Sequence, residues 1–148
     1  MIDTHTQASD EINTMLFDEW SKNPCTEEVP IVWGDVVADR QGGLNYANGA
    51  TPYLRAELLY ETSRKTSLKG RGGAKREHRG LLVALLHTQA GLGYSNALPL
   101  ISVAQDIFDG TSSPGGVWFR NPHITNIGRQ GTWYVTSMTV TFIYDLIR

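Results

Sequence analysis

Apolar and polar positions alternate along this chain with two different periods, and the switches between them mark out its elements. In "SDEINTMLFDEWSK" (9–22), Ile12, Met15, Leu16 and Trp20 recur at helical spacing, which predicts an amphipathic helix. Ser9 stands where a hydroxyl would cap it, Asp10 and Glu11 suit the positive end of its dipole, and Asn23-Pro24 ends it. "PIVWGDVV" (30–37) is a short β-rich segment, followed by a turn-rich loop, "DRQGGLNYANGATP" (39–52). "YLRAELLY" (53–60) then alternates, with Leu54, Ala56, Leu58 and Tyr60 on one side and Arg55 and Glu57 on the other, as a half-buried strand does. "HRGLLVALLH" (78–87) is apolar on both faces, which predicts a central strand covered on both sides.

Helical period returns in "SNALPLISVAQDIFDG" (95–110). Ala97, Leu100, Ile101, Ala104, Ile107 and Phe108 form the stripe, Ser95 or Asn96 the cap, and Pro99 is expected in the first turn. "GVWFR" (116–120) and "TWYVTSMTVTFIYDL" (132–146) read as the last two strands. In the latter, Tyr134, Met138, Val140, Phe142 and Tyr144 share one face, and Ser137, Thr139 and Thr141 the other. The order α–β–β–β–α–β–β predicts a single α+β domain, with two helices against a mostly antiparallel sheet.

Charge changes this picture at one place. The chain carries a net −2, yet residues 62–79, "TSRKTSLKGRGGAKREHR", hold seven of its thirteen basic residues and one acid. Arg64, Lys65, Lys69, Arg71, Lys75, Arg76 and Arg79 give this stretch a net +6 and leave −8 on the rest. Pairing of 53–60 with 77–87 makes the stretch the connection of a hairpin. At about 16 residues it is far longer than the ~2 to 5 of most hairpins, and long loops in compact domains are functional or disordered. Residues 62–77 are therefore read as an extended basic, glycine-rich loop, ordered by a partner. It holds no Phe, Tyr or Trp on which bases would stack, so it points to charge matching with a polyanion or an acidic protein, against the plainer reading of a solvated loop.

Composition and motifs argue against catalysis. "GRGGAKRE" lacks the spacing and the following Ser/Thr of a phosphate-binding loop, and a strand follows it where a helix is needed. His5, His78, His87 and His123 stand at no short metal-ligand spacing. His78 and His87 are nine residues apart, which puts them on opposite faces of one strand, as surface residues near its ends. Cys25, the single cysteine, sits in no nucleophile motif, and Asp106 with Asp109 reads as solvated surface charge. No catalytic residue, cofactor or metal site is assigned. The N-terminus lacks the pattern of a signal peptide, and no apolar run reaches the ~18 to 20 residues of a membrane span. Of the four tryptophans, Trp33 and Trp118 lie in short segments flanked by loops and are candidate interface anchors.

The layout resembles the tail-terminator proteins, which cap the tail tube of long-tailed phages and prophages. The resemblance rests on "PIVWGDV" (30–36) after the first helix, "TPYLRAELL" from Thr51, the basic glycine-rich loop leading into "HRGLLVALL", the second helix, and the late "GTWYVTSMTVTFIY" (131–144). The chain departs from the family in the length of its 39–51 loop. The resemblance implies a small α+β subunit that assembles as a hexameric ring in the virion tail or neck. Such a ring would bind the major tail tube protein, end its polymerisation, offer a docking face to the head–tail connector, and let genomic DNA pass through its lumen. It implies no catalysis and no cofactor. Within such a ring the basic loops would face DNA or grip an acidic protein rim, and sliding DNA favours the protein. A head-closure or head–tail adaptor ring, and a small non-specific nucleic-acid-binding module, are the alternative readings.

Overall fold

The computed structural model describes residues 2–33, 52–65, 75–91 and 94–147. The elements follow in the order α1 (His5–Lys22), β1 (Ile31–Trp33), β2 (Tyr53–Lys65), β3 (Lys75–Gln89), α2 (Tyr94–Phe108), β4 (Trp118–Gln130) and β5 (Trp133–Ile147). The five strands form one sheet in the order β1-β2-β3-β5-β4. All neighbours are antiparallel except β1 and β2, which run parallel. This is the predicted α+β architecture in the predicted element order.

One face of the sheet carries the core. Along β3 the even positions Gly80, Leu82, Ala84, Leu86 and Thr88 are buried and the odd positions between them only half-buried. Their partners on β5, Phe142, Val140 and Met138, are buried with them. Ile12, Leu16 and Trp20 of α1 and Ala97, Ile101, Ala104 and Phe108 of α2 pack into the same cluster. β3 is central, as its sequence predicts, but both helices lie on its even face. The odd face carries a smaller cluster of Val32, Tyr53, Trp133 and Val135 with Leu85, so the cover on that side is side chains and no described helix.

The helix boundaries differ from those expected, and at α1 the cause is capping. α1 starts at His5, because Thr4 is its cap: the Thr4 hydroxyl accepts from the Gln7 amide at 3.0 Å. Gln7 in turn accepts from the Asp3 amide through Oε1, a variant of the reciprocal box in which a Gln three residues on bonds back. Ser9, Asp10 and Glu11 are therefore interior to the helix and not its start. α2 begins at Tyr94, which makes Pro99 its sixth residue and not part of the first turn. The carbonyl of residue 95 thus lacks its usual helical donor.

Three strands are longer than the sequence suggests. β4 runs on from Arg120 to Gln130, through Asn121-Pro122 and Gly128. Its register with β5 shifts between Arg120 and His123 and again between Asn126 and Gly128, so these residues are absorbed as bulges. Asn121 takes a φ of 56°, which Asn tolerates better than most side chains. Bulges and a proline on this outermost strand blunt it against edge-to-edge pairing. β2 and β3 pair continuously from Tyr53↔His87 to Lys65↔Arg76, with a bulge at Glu61. The two ends of the expected loop 62–77, residues 62–65 and 75–77, are thus strand, and its middle, with Lys69 and Arg71, lies outside the described residues, as does 34–51.

A candidate assembly surface on the basic arm

Beyond Gly80 the β2–β3 ladder continues with β5 alongside, while β4 stops at Trp118↔Ile143. The result is an arm built on three strands. Its register decides which charges meet. Thr62 pairs with Arg79, Arg64 with Glu77 and Lys65 with Arg76, and on the other side Glu77 pairs with Asp145. Lys75 Nζ lies 3.2 Å from Asp145 Oδ2, and Arg79 lies 3.5 Å from Glu77. Asp145 is far from the basic stretch in sequence, yet the sheet folds it in. The charge cluster read as seven to one is therefore partly neutralised by carboxylates on the sheet. Arg76 stays exposed, and it faces Lys65 across the ladder.

At the root of the arm an aromatic cluster fastens the start of α1 to the sheet. His78 pairs with Ser63 on one side and Tyr144 on the other. The His78 ring stacks on Tyr144 at 5.5 Å, and His5 meets His78 edge-on at 4.6 Å. His5 Nδ1 is 2.5 Å from the Tyr144 hydroxyl. Tyr60 closes the group, 5.9 Å from His5 and 5.5 Å from Phe142. His5, Tyr60, Glu61, Ser63 and His78 line an open cleft of about 490 Å³. Sequence reasoning missed this cluster, since His5 and His78 share no local motif. Among the described residues no group of three His, Cys, Asp or Glu side chains could hold a metal ion.

His87 does lie on the face opposite His78, as its spacing predicts, but it is not a surface residue. It stacks on Tyr53 at 4.3 Å with the rings 6° from parallel, and Trp133 meets both edge-on. Burial holds its pKa below the ordinary histidine value, and Arg55 pushes the same way against a backbone contact at Leu85 that favours the cation. Burial likewise raises the Tyr53 hydroxyl. His123 is a surface residue of β4, near the Asn121 carbonyl.

The two candidate anchors differ. Trp118 opens the outermost strand and is 48% exposed. Trp33 is half-buried and packs against the main core, beside the outer face of α1. Cys25 is exposed in the turn after α1, and Asp106 and Asp109 are exposed at the end of α2. No described helix is long and apolar enough to cross a membrane.

No protein-family model matches this chain, and no curated protein matches it. Among solved structures, one named only by a sequence identifier superposes with a TM-score of 0.67 at 13% identity, covering 95% of this chain and 94% of its own. That likeness shows a shared fold over nearly the whole domain. Another, described as the virion of a native gene transfer agent (GTA) particle, gives a TM-score of 0.49 at 10% identity over 93% of this chain and 96% of its own. The second likeness is too loose to carry a role.

Proposed function

We propose that this protein is a non-catalytic structural component of a phage-like virion. It forms a closed ring, hexameric by resemblance to the tail-terminator proteins, that caps the tail tube and presents a docking face to the neck. The observation that carries this reading is the arm. The β2–β3 ladder continues into the basic segment as far as Lys65↔Arg76, so cations stand on paired strands at one end of a small, otherwise acidic fold. In a ring each arm recurs once per subunit, and six copies multiply its charge within a small region. Lys75 and Arg79 are held by ion pairs on those strands, and Arg76 is exposed beside them, which suits charge matching with an acidic protein surface. A lumen that DNA slides through gains nothing from such a grip. The predicted order of elements, from which the resemblance was drawn, is the order the structure shows.

The test is the mass of the purified protein by light scattering, with negative-stain images, alone and mixed with tail tubes. Rings, free or seated at one tube end, are the expected result. A monomer that ignores tubes would overturn the reading. Binding to empty heads in place of tubes would move the ring to the head side of the neck.

A further inference from the structure

The arm ends in a pairing that the fold itself does not favour. Lys65 and Arg76 are direct cross-strand partners, and like charges directly opposite each other destabilise a ladder. Lys75 and Arg79 have carboxylates at 3.2 and 3.5 Å, but Arg76 is exposed at the outer end of the described ladder. Such a pair is stabilised by negative charge from outside the hairpin.

The same chain offers that charge on a helix face without a described partner. Residues 2–29 carry seven acids and one lysine, a net −6 that mirrors the +6 of residues 62–79. α1 turns Ile12, Leu16 and Trp20 inward. On its outer side Asp10, Thr14, Phe17 and Asp18 follow one another at helical spacing and are exposed. Asp10 and Asp18 take part in no ion pair among the described residues. Phe17 is 53% exposed between them, and with Trp33 it forms the apolar floor of a shallow groove. Phe17 between two acids that form no ion pair among the described residues gives a cationic partner both opposite charge and an apolar contact.

We propose that the Lys65–Arg76 end of the arm of one copy docks on the outer face of α1 of the next copy, with the two cations beside Asp10 and Asp18 and the hairpin backbone over Phe17 and Trp33. The inference rests on the ring reading above and names the subunit contact within it. The contact is head-to-tail, so each copy gives an arm and receives one, which closes a ring when the rotation allows.

A charge swap tests it. Two variants are made, D10K/D18K and K65E/R76E, all four positions lying on described helix or strand. Each variant alone sets like charge against like at every junction, so its mass should fall to that of the single 16.4 kDa chain. An equimolar mixture restores opposite charges at every junction of a ring in which the two variants alternate, and one chain carrying all four changes restores them at every junction too. Both should assemble as the wild type does, with far-ultraviolet circular dichroism showing that every variant folds. If either swapped variant assembles alone, or if the folded mixture stays monomeric, the docking is overturned while the ring stands. Loss of tube or DNA binding by K65E/R76E with rings intact overturns it in the same way, by giving the arm another partner. A wild-type protein that never assembles, with or without tubes, overturns the ring reading and the docking with it.

Discussion

Phe142 lies across Gly80 from the neighbouring strand, so closely that a Cβ on residue 80 would fall 2.5 Å from the Phe142 ring and 2.4 Å from the Leu59 carbonyl oxygen. This close approach explains a glycine in the middle of a central strand. Glycine there costs about 0.5–1 kcal/mol relative to alanine in chain entropy, whereas overpacking a core costs about 1–3 kcal/mol. Because one of the clashing atoms is backbone and cannot swing aside, overpacking wins. Gly80→Ala is expected to lower unfolding stability in urea by about 1–2 kcal/mol. A stabilised variant would contradict the packing described. Tyr60 also rests on Phe142, so the same substitution should disturb the root of the arm before it disturbs α2.

His87 predicts an acid-sensitive fold. Its pKa is lowered in the folded protein by burial, so at mildly acid pH the unfolded chain takes up a proton that the folded chain refuses. The stability associated with this ring is fully present above the ordinary histidine pKa of about 6.5 and is lost as pH falls from there through the lower folded value. The urea midpoint should therefore decline between about pH 7 and pH 5. His87→Phe keeps a ring on Tyr53 and removes the proton, so it should flatten that part of the profile. An unchanged pH profile in this variant would remove His87 as its cause.

The helix cap gives a prediction of a different kind, because it is local. The Thr4 hydroxyl satisfies the Gln7 amide, and loss of such a cap costs about 1 kcal/mol. Thr4→Ala should lower stability by about that much, and Thr4→Ser should keep most of it. The start of α1 also carries His5 to Tyr144, so fraying after Thr4→Ala should appear first as faster amide exchange at residues 7–9.

What was legible in the sequence follows from which signals are local. The apolar stripes of α1 and α2, and the alternation along β5, predict most of the residues on the core face, because period and burial are one geometric fact, while Val135 and Ile143 are buried on the other face of β5. The Thr4–Gln7 spacing was equally legible as a cap, but Ser9 followed by two acids competes with it on the same rules. β4 was unreadable beyond Arg120, since Asn121-Pro122 and Gly128 carry turn chemistry that an edge strand absorbs as bulges. The strand ends at 61–65 and 75–77 have charge where alternation should be, and only pairing with each other and with β5 makes them strands. Asp145 and Tyr144, which complete the arm and its root, reach it through topology alone. So does the contact of His5 with His78, which no spacing rule connects.

Trp118 separates a binding role from a folding role. It starts β4, pairs with Ile143, and leaves 48% of its surface in solvent, so truncation there should cost the fold little. Substitutions at exposed sites change stability by about 0.5 kcal/mol or less, whereas a tryptophan that anchors an interface can carry about 2 kcal/mol or more of its binding energy. Trp118→Ala is therefore expected to leave the thermal midpoint within a few degrees of wild type. If Trp118 anchors a virion contact, the same variant should weaken ring or tube binding by roughly 30-fold, the factor that about 2 kcal/mol represents. Measuring both on one preparation decides between the roles. A lowered midpoint with normal assembly would make Trp118 a packing residue of the β4 edge, and a normal midpoint with normal assembly would leave the anchoring to the outer face of α1.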